Sequence, residues 1–222
     1  MKAIIGGIIV FAVALAPQIV QAQGTMTYLS NLNQASAGSL AVGSDSWLAA
    51  GFGTGNNANG YVLNSIQLGM TDASGNPSNF TVMIYANAGP TGIFPGSSLG
   101  TLDGSLNPAT GGIFTYTPAS NLTLSPSTFY YIVLTAGTTV ANGAYDWSYA
   151  GANSYNPSGG WFSLGGIWTS SNGSFSAGGG YIWFSSICHK RHRHSRTGRL
   201  GFVRFGRLGL PLASPQSSLR TS

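Results

Sequence analysis

The feature that most constrains the fold is an alternation of short β-prone runs with turn clusters, which continues along the chain after Gln23. A typical passage reads YVLNSIQLGM, then TDASGNPSN, then FTVMIYANA. In the last run Phe80, Val82 and Ile84 occupy every second position, which is the period of a strand with one buried face. The middle cluster supplies the Asp, Gly, Asn and Pro that tight turns need. The pattern therefore predicts strands joined by short turns.

No stretch after Ala22 has a 3.6-residue apolar period with helix caps. Many short strands without intervening helices are typical of antiparallel sandwiches and barrels. The remaining length is enough for one hydrophobic core to bury about 70% of the unfolded surface. We therefore predict an all-β fold, an antiparallel, jelly-roll-like β-sandwich, formed as a single domain by residues 23–187.

Charge is distributed very unevenly along this chain. Charged residues make up 6% of the sequence, against roughly 25% in an average soluble domain. Residues 3–187 contain no Lys, Arg or His, and their four aspartates give a formal charge of −4. A folded basic patch for nucleic acid is therefore excluded there. The hydrophobic fraction of 43% argues against wholesale disorder, which needs low hydrophobicity and high net charge.

The first residues read MKAIIGGIIVFAVALAPQIVQAQG. One cation at Lys2, an apolar run ending before Pro17, and small or aliphatic residues at Val20 and Ala22 are typical of a secretory signal peptide. The alternative is an uncleaved anchor helix, but the run is short for the ~20 residues of a membrane span. We predict a signal peptide over residues 1–22, cleaved after Ala22, and hence export. Cys188 is the only cysteine, so no internal disulfide is expected.

Several passages carry a resemblance to a known family. They are SNLNQASAGSLAVGSDSWLAAGFGTG, YVLNSIQLGMTDASGNPSNFTVMIYANAG, NLTLSPSTFYYIVLTAG and YDWSYAGANSYNPSGGW. They resemble the bacterial choice-of-anchor R domain, over most of Thr25 to Ile187. That family comprises exported proteins that share one β-rich domain and end in different C-terminal sorting signals. The resemblance implies a place at the cell surface and assigns no catalytic residues.

Residues 188–222 form a basic tail of foreign composition, which we predict to be disordered. Family members often end in a PEP-CTERM sorting signal, the type handled by an exosortase, but this chain has no Glu and so lacks the motif. Back-translation with a one-nucleotide shift permits TNATVIPEPGALALCGLAGLGFLWRRRK, which has the motif, the apolar run and the basic end in order. Our hypothesis is a lost or frameshifted sorting signal, which the nucleotide sequence of the gene would decide.

Other interpretations of the tail stay open. Its cations would attract anionic lipid, polysaccharide or nucleic acid. His189, His192 and His194 are potential metal ligands, although a structural site usually needs four ligands in fixed geometry. The tail would also serve as a plain disordered end. It does not read as a membrane span, because arginines interrupt its apolar residues at high cost.

The body of the chain offers little for catalysis. A serine nucleophile needs a nearby base, and residues 3–187 have neither His nor Lys. Paired carboxylates, as in glycoside hydrolysis, are conceivable for Asp72, Asp103 and Asp146, but the first two read better as turn residues. Asp72 with Asn76 and neighbouring carbonyls is a weak calcium candidate. We predict no enzyme activity and no required cofactor.

Aromatic residues near the end of the domain are the best binding candidates. Exposed rings stack on sugars while Asn and Ser donate hydrogen bonds, and the alternative is that the same rings fill the core. The candidates that we select for ligand binding are Trp147, Tyr149, Tyr155, Trp161 and Trp168.

The sequence therefore predicts an exported, non-enzymatic structural or adhesive protein of the cell envelope or the extracellular space. The alternative is a carbohydrate-binding module that uses these aromatics, and the third hypothesis is a hydrolase with paired Asp. The expected partners are extracellular polysaccharide or envelope components, and no specific nucleic acid. Membrane contact is expected only through the signal peptide or a lost sorting signal.

Overall fold

The computed structural model describes residues 26–32, 34–89, 92–150, 156–177 and 180–182. The predicted signal peptide with its cleavage site after Ala22, Tyr155 and the basic tail lie outside these residues. The described chain consists of strands and turns, with one 3-10 turn at Val140–Asn142. Nothing helical in this part of the chain is long and apolar enough to cross a membrane.

The strands are short and follow one another closely. In chain order they are β1 (Leu29–Ser30), β2 (Ser36–Val42), β3 (Trp47–Gly53), β4 (Tyr61–Leu63), β5 (Ile66–Gly75), β6 (Thr81–Gly89), β7 (Gly92–Asp103), β8 (Gly112–Pro118), β9 (Leu122–Leu124), β10 (Phe129–Thr135), β11 (Gly143–Ala150), β12 (Asn156–Pro157), β13 (Phe162–Ser170) and β14 (Gly180–Ile182). β1 pairs with β12 and β4 pairs with β9, each pair forming a separate two-stranded sheet.

Ten of the described strands form one antiparallel sheet, in the order β14-β13-β3-β10-β6-β7-β8-β5-β11-β2. β7 and β8 are joined by only two residue pairs, Leu102 with Pro118 and Asp103 with Thr117. Six strands lie on one side of this weak junction and four on the other, and the main hydrophobic cluster draws residues from both groups. The two groups therefore form the layers of a sandwich, which confirms the predicted all-β fold. Neighbours far apart in sequence, such as β3 and β10, give it jelly-roll-like crossed connections.

The central strand β10 is buried on both of its faces. Tyr130, Ile132 and Leu134 belong to the core between the layers, while Tyr131 and Val133 belong to a second cluster on the outer face of the six-strand layer. This explains why the run FYYIVLT is almost wholly apolar, since a strand covered on both faces does not alternate. The outer cluster also contains Trp168, and Trp47, Tyr85, Phe94 and Phe175 pack against it.

The strands beside β10 show the two faces separately. In β6, Val82 and Ile84 are buried in the inner core, and Met83 and Tyr85 pack against the outer cluster, so the predicted period of two is confirmed. In β3, Trp47 also packs against the outer cluster, but the outward positions that follow it, Ala49, Gly51 and Gly53, carry small residues. An added Cβ at Gly51 would lie 2.9 Å from the Tyr131 ring. A glycine in a strand interior often marks such a close approach by a neighbour, and here it lets the large rings lie close to the sheet.

Three aromatic rings hold the inner core against the loop between β7 and β8. Phe80 contacts Tyr145 edge-on, with ring centroids 5.0 Å apart, and Tyr116 at 5.9 Å. The Tyr116 hydroxyl donates to the carbonyl of Ser105, and the Tyr145 hydroxyl donates to the Leu106 carbonyl or to Oδ1 of Asn107. The buried phenols therefore satisfy their polar ends by anchoring an exposed loop.

Because of these buried phenols, we expect the protein to lose stability at alkaline pH. Burial, followed by the charge of a neighbouring Tyr145 phenolate, raises the pKa of Tyr116 above the ordinary 10.0, and burial also raises the pKa of Tyr145. Below pH 10 both states keep these protons, whereas above it only the unfolded state releases them, so the free energy of unfolding falls as pH rises. Tyr116→Phe removes one such proton, at a neutral-pH cost of about 1 kcal/mol for the lost hydrogen bond.

We therefore expect the melting temperature of the native chain to decline from about pH 10 upward. The difference in melting temperature between the native chain and Tyr116→Phe should become smaller over the same pH range. Thermal melts at a series of pH values test this directly. The tyrosine titration is easy to follow, because residues 3–187 contain no Lys, Arg or His. Curves that stay parallel up to the highest pH would show that Tyr116 plays no part.

Candidate functional site

Two of the tryptophans selected as ligand candidates lie in the core. Trp147 and Trp161 are each only 2% exposed. The Trp161 ring lies between Tyr28 and Phe52, with centroids at 5.1 and 5.5 Å and small interplanar angles. Tyr61 approaches it edge-on at 5.0 Å. A sugar ring has no access to either indole, so we assign both residues to packing and remove them from the candidate site.

The remaining aromatic candidates are not brought together into one surface. Trp168 is 8% exposed and meets Tyr131 edge-on, with centroids 5.2 Å apart, in the outer-face cluster. Tyr149 is partly exposed on β11, in the other layer, and its ring covers Gly38 of β2. Tyr155 falls outside the described residues. The four described members of this set therefore do not form a shared platform.

The aspartates hold together separate parts of the fold. Asp45 accepts from the backbone N–H of Val140 at 2.8 Å, Asp72 from Gly111 at 2.7 Å, and Asp146 from the Ser39 hydroxyl at 3.2 Å. Of the three hydrolase candidates, Asp72 and Asp146 lie on neighbouring strands, with Asp146 paired with Thr71, while Asp103 ends β7 opposite Thr117. Asp72 and Asp146 each hold a structural hydrogen bond, which favours a packing role over the paired-Asp hydrolase.

Asp72, the calcium candidate, lies beside an irregularity in the pairing of β5 with β11. The register of β11 against β5 shifts between Ala144 and Asp146, and a bulge re-aims the side chains beside it. Asn76 lies exposed in the turn after β5. Among the described residues, no three His, Cys, Asp or Glu side chains are grouped so that they could hold a metal ion.

A groove at one end of the six-strand layer is the best candidate site. It consists of two adjoining cavities of about 800 and 430 Å³, which share Ser127 and Phe129 in their walls. The larger is of the size usual for ligand sites, roughly 300–1,000 Å³. We call this surface the Phe129–Phe162 groove. Its lining residues are Thr54, Gly55, Asn56, Ala86, Asn87, Gly89, Ile93, Leu99, Leu122, Thr123, Ser125, Ser127, Thr128, Phe129, Tyr130, Gly160 and Phe162.

Two phenylalanines meet in this groove because of their register. Phe129 of β10 and Phe162 of β13 both pair with Gly53 of β3, one from each side. Their rings are edge-to-face, with centroids 6.0 Å apart and an interplanar angle of 87°. A side chain at position 53 would overlap the Phe162 ring. The glycine thus allows an aromatic pair to lie across the strand, and Phe162 stays 39% exposed.

The loop between the two cavities is tightly fixed. The buried Thr54 hydroxyl donates to the Ser125 or Thr128 carbonyl at 2.7 or 3.2 Å and accepts from the N–H of Thr128 at 2.9 Å. The N–H of Ser125 donates to the Tyr130 hydroxyl at 2.9 Å. Ser127 has φ of 48°, a left-handed conformation that costs a non-glycine residue roughly 1–3 kcal/mol. Residues with such strained backbones tend to cluster at binding sites.

The polar groups of the groove are hydroxyls and amides. No Asp, Glu, Lys, Arg or His is among the described residues that line it. The hydroxyls of Thr123, Ser125 and Ser127 make no hydrogen bond to any described side chain or backbone group. The amide of Asn87 is fixed, since its Oδ1 accepts from Tyr131 and its Nδ2 donates to Gly89. The surface is therefore apolar and hydroxyl-lined, without an ionic contact to offer.

Comparisons with known proteins leave the chain without an assigned relative. No protein-family model matches it, no curated protein matches it, and no solved structure matches its fold.

Proposed function

We propose that this chain is an exported, non-enzymatic structural or adhesive protein of the choice-of-anchor type, acting at the cell envelope or outside the cell. Three features support the proposal: the signal-peptide pattern of residues 1–22, the resemblance over residues 25–187, and the sandwich fold. The single observation that carries the non-enzymatic part is the Phe129–Phe162 groove, whose described lining has no Asp, Glu, Lys, Arg or His for proton transfer and whose one phenol, Tyr130, already accepts the N–H of Ser125. General acid–base catalysis needs such a group within hydrogen-bond reach.

The carbohydrate-binding module is the second candidate function. The observation in its favour is a rigid groove with an exposed aromatic ring, formed by Phe129 and Phe162 instead of the tryptophans. An adhesive protein and a binding module are compatible, because adhesion to a polymer requires a site that holds it.

Localisation and attachment in the organism that carries the gene test the proposal. The native chain with an epitope tag is expected in the envelope or the medium, and accessible to protease added to intact cells. The matched control lacks residues 1–22 and should stay inside. Deletion of the gene should weaken attachment of cells to a surface or to one another, and the intact gene should restore it. A native chain that stays in the cytoplasm contradicts the proposal.

A further inference from the structure

We propose that the Phe129–Phe162 groove binds an uncharged polysaccharide, with the Phe162 ring stacking against a sugar face and the loop hydroxyls bonding to its hydroxyl groups. This inference rests on the proposed adhesive function and supplies its ligand. It differs from the sequence prediction in the residues that it uses, since Trp147 and Trp161 are buried in the core.

The charge of the lining selects the class of ligand. The described walls of both cavities contain no Asp, Glu, Lys, Arg or His, and so no side chain that is charged at neutral pH. A phosphate, sulfate or carboxylate held there would lose water without gaining an ionic partner, which is costly. A ligand with apolar C–H faces and many hydroxyls has no such penalty. Neutral sugar polymers have this chemistry.

The aromatic pair provides the stacking surface. The ring of Phe162 is exposed on one side and rests over Gly53 on the other, with Phe129 against its edge. Its position is therefore fixed before any ligand arrives. Ile93, at 54% exposed, and Leu99 extend the apolar surface along the larger cavity.

The loop around Ser127 provides fixed polar groups next to that ring. The backbone of this loop is anchored by Thr54 and Tyr130. The hydroxyls of Thr123, Ser125 and Ser127 are left without a partner in the described structure. Fixed groups lose less conformational freedom on binding, so preorganisation of this kind increases affinity.

A peptide strand fits the groove less well than a glycan. Peptides that add to a sheet need an unpaired strand edge. Phe129 lies on β10 and Gly53 on β3, and both of these strands are hydrogen-bonded on both sides. Phe162 lies on β13, which pairs with β3 at this residue and with β14 at residues 167–169. The groove therefore presents the face of the sheet, and its apolar and hydroxyl groups are what a ligand meets.

Native electrophoresis of the full chain through gels that contain a soluble polymer tests the inference. The neutral probes are mixed-linkage β-glucan, galactomannan and dextran, and alginate is the anionic comparator. We expect at least one neutral polymer to retard the chain with little dependence on salt. Alginate retardation through the basic tail should instead disappear as salt screens the charges.

Variants connect the retardation to the groove. Phe162→Ala is expected to weaken binding of the neutral polymer at least about tenfold, as for a central aromatic contact. Ile93→Ala, at the other end of the surface, should also weaken it. Ile113→Ala is the matched control, because Ile113 is exposed on β8 in the other layer, and it should bind like the native chain. Melting temperatures check that each variant is folded.

Two results would overturn the glycan inference. One is that no neutral polymer retards the native chain, and the other is that folded Phe162→Ala and Ile93→Ala variants are retarded as strongly as the native chain. Either result leaves the localisation and attachment experiments as the separate measure of the adhesive function. A native chain found in the cytoplasm would instead contradict the adhesive function, and the polymer binding measured in the gel would remain valid.

Discussion

Trp161→Ala should lower the free energy of unfolding by about 3–5 kcal/mol, the range found when a buried Trp or Phe is truncated. The indole is 2% exposed and lies between Tyr28 and Phe52, with Tyr61 at its edge. Removing it takes away three ring contacts, and each aromatic pair contributes roughly 0.5–1.5 kcal/mol beyond its buried area. Tyr28 precedes β1 and Phe52 lies in β3, so the substitution would remove contacts that join distant parts of the chain. Urea unfolding followed by circular dichroism measures the loss.

The adjacent residue provides the matched control. Phe162 is 39% exposed in the groove, so Phe162→Ala should change the free energy of unfolding by about 1 kcal/mol or less. Trp161→Ala should therefore lose mainly stability, and Phe162→Ala should lose mainly ligand binding. Equal stability losses at the two positions would contradict the assignment of one ring to the core and the other to the groove.

The sandwich was predictable because a strand that buries one face in the core has a sequence with a period of two. In β6 the alternation of Val82 and Ile84 with Met83 and Tyr85 reports the two faces directly. The same rule fails for β10, whose residues are buried on both faces and so read only as a continuous apolar run. Strand content and fold class follow from such local patterns, but which strands become neighbours does not.

The burial of Trp161 illustrates a limit of local reasoning. It follows the turn at Gly159 and Gly160, both with positive φ, and the local sequence leaves open whether this ring is exposed or fills the core. The backbone of Ser158 instead binds Tyr28, by donating to its carbonyl at 2.7 Å. This contact brings the turn onto the start of the domain. The sequence near residue 161 contains no pattern that predicts such a long-range contact.

The groove was missed for the same physical reason. Phe129 belongs to a run that reads as a central strand, and Phe162 reads as one ring among several near glycine-rich loops. What unites them is their shared pairing with Gly53, a register that depends on two long-range strand contacts. A glycine in an otherwise apolar strand was the one local sign that something large approaches the backbone there.

Gly55→Ala is expected to destabilise the protein by about 3 kcal/mol, at the upper end of the usual cost of overpacking. A Cβ at this position would overlap the carbonyl oxygen of Gly159 and lie 2.6 Å from the hydroxyl of Tyr61. A backbone oxygen cannot move aside as a flexible side chain can, so the segment after β3 and the turn before Trp161 would have to separate. Gly55 also accepts the N–H of Ser127, so the same shift would disturb the groove loop.

Gly69→Ala is the matched control for this last change. Its added Cβ would meet only Ser148 Cβ at 3.8 Å and Leu32 Cδ2 at 4.0 Å, which are ordinary contacts. Since alanine restricts the unfolded chain more than glycine does, stability should be unchanged or rise by about 0.4–1 kcal/mol. Urea unfolding of both variants compares the two glycines under identical conditions. A Gly55→Ala protein as stable as Gly69→Ala would mean that the turn at Gly159 does not pack against Gly55, and that the core around Trp161 is assembled differently.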